Sequence, residues 1–330
     1  MQILITGGTG TIGKALLKKF YHVHDIRVFS RDELKQATLK LQYPDVEFMV
    51  GDVKDYASVV KAMRGIDVVI HAAAMKRIEI CEQWPIEAVK TNVLGTENVV
   101  NAALEKGIKK LISIGSDKGV EPINVYGMTK AIQERITTSA GYNCARYGNV
   151  LGSRGSIVPL FQEQIAKGQP VTVTDPEMTR FVLTVDEALN IIAKAIESEM
   201  DGSIFVKKSP AIKTGDIAKA MSDNIKIIGA FACEKKHEIL VSAEEMTRVR
   251  EEDGYYIIQR ERSAKSAPRV TVPAMSIEQM VHLTEKGEEI VNQCLNTPEL
   301  SKVAYASNTT NLLGIEEVNK YIENYGKTTN

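Results

Sequence analysis

Short apolar runs alternate with amphipathic stretches through the first half of the chain. Gln2 to Thr6, Asp25 to Phe29, Val46 to Val50, Asp67 to Ala72, Lys110 to Ile114 and Tyr142 to Arg146 read as strands. Between them, segments such as Ile12 to Phe20 and Ile86 to Lys106 carry apolar residues at helical spacing. Near-continuous apolar strands separated by helical patterns predict a parallel sheet covered on both faces, an α/β doubly wound, Rossmann-like fold. Past about Leu151 the rhythm breaks. Gly152 to Gly155 and the Asp175-Pro176 region read as loops, and Thr184 to Ser198 as a helix returning to the sheet. The elements after Ile204 are short and mixed. The predicted division is a sheet lobe of residues 1–168 plus about 184–203, and a smaller α+β lobe of 169–183 and 204–330. In the last 80 or so residues, Gly254 to Ile258 reads as a strand, and Ser276 to Cys294 and Ile315 to Tyr325 as helices.

A length of 330 residues, 44% of them hydrophobic, suffices for two lobes and a substantial core. The 41 basic residues nearly balance 42 acidic ones, so no nucleic-acid partner is implied. Cys81, Cys144, Cys233 and Cys294 lie far apart with no CxxC pair. That pattern points to reduced thiols in a cytoplasm rather than disulfides or a metal site. No apolar run reaches the roughly 20 residues of a membrane span. The stretch Ile3 to Ile5 runs straight into a glycine-rich turn, so no signal peptide is expected.

That turn, Thr6-Gly7-Gly8-Thr9-Gly10-Thr11-Ile12-Gly13, follows the first strand and opens the first helix. Gly7 permits a sharp turn, Gly10 a close approach of pyrophosphate, and Gly13 tight packing of helix on strand. The helix start adds amide donors and partial positive charge. The second strand ends in Ser30-Arg31, where an acidic residue would hold the ribose hydroxyl of NAD. A guanidinium there forks onto a 2′-phosphate, so NADP is expected, with NAD as the alternative. Asp32 and Glu33 would cap the next helix. If Asp32 turned inward, the expectation of NADP would fail. Asp52, closing the third strand before Val53, is a candidate contact for adenine.

Tyr126 and Lys130 form a YxxxK pair on one helix face, one element after the fifth strand. An ammonium beside the phenol favours phenolate, a base for an alcohol that is losing hydride. Ser116-Asp117-Lys118 stands at the carboxyl end of the fifth strand, the edge at which ligands bind in open parallel sheets. By itself the Asp117-Lys118 pair also suits an exposed loop ion pair.

The combination of TGGTGTIG, HAAAMK, SDK, YGMTK, RYGNVLGSRGS and DPEMTRF resembles the UDP-N-acetylhexosamine 4,6-dehydratases of the extended short-chain dehydrogenase/reductase superfamily, over roughly the first 250 residues. The resemblance implies a polysaccharide-biosynthesis lyase acting on UDP-N-acetylglucosamine, with a cofactor that ends the cycle as it began. Tyr126 would take the C4 hydroxyl proton while Ser116 binds the C4 oxygen. Lys118 would remove the C5 proton, provided its pKa falls well below 10.4 or so, and Asp117 would protonate the departing C6 hydroxyl. Ala72, Ala73 and Ala74 would lie close to nicotinamide and sugar. Lys76, Asn149, Arg154 and Arg180 would serve the sugar and diphosphate, and His237 and Glu238 the uridine side, while Asn92 supports the site backbone. A homo-oligomer is implied. Inversion at C5 is favoured over retention. A UDP-sugar 4-epimerase is the alternative enzyme, since it has no need of Asp117-Lys118. An NADP-sensing regulator is the alternative outside catalysis, although it would be expected to lose Tyr126 or Lys130.

Overall fold

The computed structural model describes residues 1–153, 155–260 and 304–328. In chain order the elements are β1 (Gln2–Thr6), α1 (Thr11–Phe20), β2 (Asp25–Ser30), α2 (Glu33–Gln42), β3 (Glu47–Val50), α3 (Tyr56–Ala62), β4 (Val68–His71), α4 (Ile78–Gln83), α5 (Pro85–Ala88), a π-helical segment (Val89–Leu94) and α6 (Gly95–Glu105). Then come β5 (Lys110–Ile114), a 3-10 turn (Asp117–Gly119), α7 (Val125–Ser139), β6 (Asn143–Arg146), β7 (Asn149–Val150), α8 (Ile157–Ala166), β8 (Val171–Val173), β9 (Thr179–Leu183) and α9 (Val185–Glu197). The remainder are β10 (Ile204–Lys207), β11 (Ala211–Lys213), α10 (Thr214–Met221), β12 (Ile225–Ile227), β13 (Ile239–Val241), α11 (Ala243–Met246), β14 (Val249–Glu252), β15 (Tyr255–Ile258), β16 (Tyr305–Ala306) and α12 (Ile315–Thr328).

The main sheet has nine strands in the order β14-β15-β10-β6-β5-β4-β1-β2-β3. It is parallel from β3 to β10, and β15 and β14 add antiparallel pairs at one edge. Successive residues of β1 serve opposite faces. Ile3 and Ile5 join the core under α1 and α9, and Leu4 joins the core under α3 and α6. Burial on both faces explains why these strands read as unbroken apolar runs. A reciprocal capping box between Thr184 and Glu187 starts α9, which packs on β5, β6 and β10 as its sequence predicts.

The second lobe has its own core, in which Val158 and Phe161 of α8 meet Val171, Ile212, Ile217 and Val318. Two parts of the sequence-based division therefore shift. β10, β14 and β15 extend the main sheet instead of belonging to the second lobe, and α8 packs with the second lobe instead of the first. The reason is tertiary: short strands join whichever sheet edge is open, and their own sequence does not name it. The single helix expected over Ile86 to Lys106 is instead α5, the π segment and α6. The expected helix Ser276 to Cys294 lies outside the described residues.

Candidate active site

The turn after β1 forms a cradle that only glycine allows. Gly7 has φ +68°, and a β-carbon there would stand 2.7 Å from the Ala73 backbone. A β-carbon on Gly13 would stand 2.4 Å from Gly8 Cα. No side chain caps the amino end of α1, and its first turn holds no acidic residue. That end therefore suits a pyrophosphate, and the residues present fit a dinucleotide. The cleft beside it, about 620 Å³, is lined by Gly7, Thr9, Gly10, Thr11, Ile12 and Gly13, by Ser30, Arg31, Asp52 and Val53, and by Ala72, Ala73 and Ala74. Asp32 lines this cleft as well, while capping α2 by accepting from the Lys35 amide at 2.9 Å and from the Lys35 ammonium. Arg31 reaches Asp52 at 3.6 Å across the mouth. Ser30 is fixed by Gln36 Nε2, which donates to its hydroxyl at 2.9 Å. Lys35 and Arg77 also line this cleft and were not singled out from the sequence. Lys35 stands one helical turn past Arg31, which was the available signal.

Ser116, Lys118, Tyr126 and Lys130 line the far end of the same cleft. Asp117 is fully buried just beneath. Its Oδ1 accepts from Ser116 Oγ at 3.1 Å, from the Lys118 amide at 2.9 Å and from Lys118 Nζ at 3.1 Å. Its Oδ2 is buried with no partner. Burial raises the Asp117 carboxyl above its ordinary range, and the Lys118 cation opposes the rise. Lys118 Nζ also donates to Asn149 Oδ1 at 2.9 Å and lies 3.5 Å from Glu238 Oε1. Burial works against its charge, but Asp117 and Glu238 outweigh that and hold it above the usual lysine range. The low pKa expected of a base is therefore not present in this state: the two carboxylates keep the ammonium.

Tyr126 lies in the first turn of α7, whose amino end is capped by Asn124 accepting from the Gly127 amide at 2.7 Å. Burial pushes its phenol up to about 12, against hydrogen bonding by Ser116 and the charge of Lys118. Lys130, one turn on, donates to the Ile114 carbonyl and to Gln133 Oε1 at 2.5 Å. Burial lowers its ammonium to about 8. The sequence pairs Tyr126 with Lys130. In the structure the Lys118 charge acts on the phenol, while Lys130 ties α7 to the end of β5. The Tyr147 hydroxyl lies buried and unpartnered, on another cleft-lining residue missed from the sequence.

Asn92 does not line the cleft. It clasps the backbone of Met75, accepting from its amide at 2.7 Å and donating to its carbonyl at 2.9 Å, and it donates to Thr129 Oγ1 at 2.9 Å. It is a support for the loop that carries Lys76, which lines the cleft with Asn149. His71 is buried between Thr6 Oγ1 at 2.7 Å and Thr96 Oγ1 at 3.0 Å, and burial lowers its imidazolium to about 3.

The remaining residues come from the second lobe. Arg180 is buried, and its guanidinium donates to the carbonyls of Thr179 at 2.9 Å and Lys236 at 3.2 Å. It stands close enough to lower Lys118 electrostatically but does not line the cleft. The His237 ring sits at 2.8 Å from Thr179 Oγ1. Glu238, expected on the uridine side, points instead at Lys118. Arg154 lies outside the described residues. Among the described residues no His, Cys, Asp and Glu group forms a metal site, and no helix is long and apolar enough to cross a membrane.

A family model described as "Polysaccharide biosynthesis protein" matches residues 3–260. A relative from Rickettsia akari (strain Hartford), named UDP-glucose 4-epimerase, is 42% identical over 279 residues, covering 78% of this chain and 82% of the relative. The X-ray structure of Pen from Bacillus thuringiensis matches with a TM-score of 0.83 at 32% identity, covering 98% of each chain. DesIV from Streptomyces venezuelae, a dTDP-glucose 4,6-dehydratase with NAD and TYD bound, shares the fold at 19% identity, with a TM-score of 0.66 over 71% of this chain and 86% of its own. The chain belongs to the polysaccharide biosynthesis protein family, whose model spans residues 3–260.

Proposed function

We propose that the protein is an NADP-dependent UDP-N-acetylglucosamine 4,6-dehydratase. One observation carries this reading: the Asp117–Lys118 pair is packed under Tyr126 at the end of β5, with Asp117 Oδ2 buried and unmatched. An oxygen in that condition costs free energy until a hydroxyl meets it. The sugar C6 hydroxyl supplies that partner. The Gly7–Gly13 turn and Ala72 to Ala74 would hold a nicotinamide dinucleotide, which would supply reversible hydride storage. The chain's own residues do the rest. Tyr126 accepts the C4 hydroxyl proton and Ser116 donates to the C4 oxygen. Lys118 takes the C5 proton, and Asp117 protonates the leaving C6 oxygen. Lys76, Asn149, Arg154, Arg180 and His237 are proposed to hold the sugar and the uridine diphosphate.

Arg31 and Lys35 in the cleft favour a 2′-phosphate and hence NADP, against Asp32, which lines the same cleft and pairs with Lys35. The carboxylates around Lys118 oppose its use as a base, and Arg180 works the other way. Inversion at C5 is the proposed outcome, read from the ring couplings of the product by NMR.

The relative's name favours a second reading, a UDP-glucose 4-epimerase. That reaction needs a base and a hydroxyl, and gives the buried Asp117–Lys118 pair no task. The test is incubation with UDP-N-acetylglucosamine followed by alkali. A 4-keto sugar chromophore is expected, and it should vanish in Asp117→Asn. UDP-N-acetylgalactosamine appearing with no chromophore would establish the epimerase instead.

A further inference from the structure

Gln36 does not line the cofactor cleft, yet its amide controls a residue that does. It lies in α2, its backbone amide donating to the Asp32 carbonyl at 3.1 Å, and is 4% exposed. Its Nε2 stands 2.9 Å from the Ser30 carbonyl oxygen, 2.8 Å from the Met49 carbonyl oxygen and 2.9 Å from Ser30 Oγ. The amide thus ties the ends of β2 and β3 together, and it also sets a direction. A carbonyl oxygen only accepts, so the group that faces both carbonyls is the amide NH2 and not the amide oxygen. That nitrogen donates and does not accept. The Ser30 hydroxyl therefore cannot give its hydrogen to Gln36. Among the described residues no other acceptor takes it. Ser30 is buried at the cleft wall beside Arg31, so its hydrogen is left for a ligand.

A serine held this way is a donor. The 2′ position of the adenosine ribose presents one of two groups. A 2′-phosphate offers charged acceptor oxygens, which strengthen a hydrogen bond from a hydroxyl. A 2′-hydroxyl brings a hydrogen of its own and is met by an acidic residue in NAD sites. One of the two Ser30 Oγ lone pairs already faces Gln36, which leaves the serine poorer as an acceptor.

We propose that Gln36 is a positioning residue for cofactor choice, which acts through Ser30 and turns its hydroxyl hydrogen onto the 2′-phosphate of NADP. The inference rests on the NADP reading above. It adds to the charges of Arg31 and Lys35 a neutral donor whose sense is fixed from beneath. Asp32, on the same wall, is the group suited to a 2′-hydroxyl, and it pairs with Lys35.

The test is calorimetric titration of NADP and NAD into the wild type, Gln36→Met, Ser30→Ala and the double variant. Gln36→Met keeps the reach of the side chain and removes its hydrogens, so the Ser30 hydroxyl is free to turn away. NADP affinity should fall about tenfold, the low end for a hydrogen bond to a charged group, while NAD affinity stays within about twofold. Ser30→Ala should lose a similar factor. The double variant should lose no more than either alone, because both changes remove one interaction. Equal losses for NADP and NAD in Gln36→Met would make the residue a tie between strand ends and overturn the proposal, as would losses that multiply in the double variant. If Gln36→Met does not fold, Ser30→Ala carries the test: a loss confined to NADP is expected, and an unchanged NADP affinity overturns the proposal. A wild type that binds NAD more tightly than NADP sinks the NADP reading itself, and this inference with it. A wild type that prefers NADP, with no selective loss in Gln36→Met, sinks only the role of Gln36.

Discussion

His71 shows how one residue's surroundings fix its protonation. Complete burial holds it neutral between two threonine hydroxyls, with its pKa lowered to about 3 from 6.5. The unfolded chain binds a proton below pH 6.5 and the folded one resists until about 3, so stability falls as pH drops through that window. The stability His71 provides is fully present above pH 6.5. The loss by pH 3 is on the order of 4–5 kcal/mol, at about 1.4 kcal/mol per pKa unit. His71→Gln should flatten the pH dependence of urea unfolding between pH 6.5 and 4, whatever its effect at pH 7; an unchanged slope would contradict this account. The same burial acts oppositely on Tyr126, because for a phenol the charged form is the deprotonated one.

At the scale of elements, the β2–α2 turn and the π segment do the positioning. The turn sets Arg31, Asp32 and Lys35 at the cleft, with Asp32 also capping α2. Arg31→Ala combined with Lys35→Ala should weaken NADP binding about 10- to 100-fold, since a hydrogen bond to a charged group is worth about 1.5–3 kcal/mol. NAD binding should hardly change. Calorimetric titration with both cofactors decides it, and equal losses for the two would remove the 2′-phosphate assignment. The π segment turns Asn92 inward, where its amide meets both backbone polar groups of Met75. Wide helical turns of this kind recur at functional sites, and here one aims a support for the site loop.

Across the whole molecule, buried ion pairs join the lobes. Arg146 of β6 is forked between Glu134 of α7, at 2.7 Å, and Glu245 of α11, at 2.8 Å, and also donates to the Leu240 carbonyl at 2.8 Å. Glu245→Ala leaves that guanidinium buried with two of its three partners. The expected cost is about 3–5 kcal/mol in guanidinium unfolding, with partial recovery on adding Arg146→Met together with Glu134→Gln, which removes both remaining buried charges. Losses that simply add would show that the pair does not act as a unit. The same joint brings Glu238 and Arg180 of the second lobe to Asp117 and Lys118 of the first.

The order of apolar runs, the glycine turn and the strand-end placement of Ser116-Asp117-Lys118 determined the Rossmann-like lobe and one end of the site, because their geometry follows from local periodicity and steric fit. Asp32 as a cap was legible for the same reason: the interaction spans three residues. What Lys118 touches was not legible. Glu238 lies far along the chain, and only the packing of the lobes makes it a neighbour. Protonation followed the same rule, since burial and unlike charges, neither of which a sequence displays, raised Lys118 and lowered Lys130. The assignment of β10, β14 and β15 to the main sheet was tertiary too, because a short strand's partner is set by whichever edge is left open.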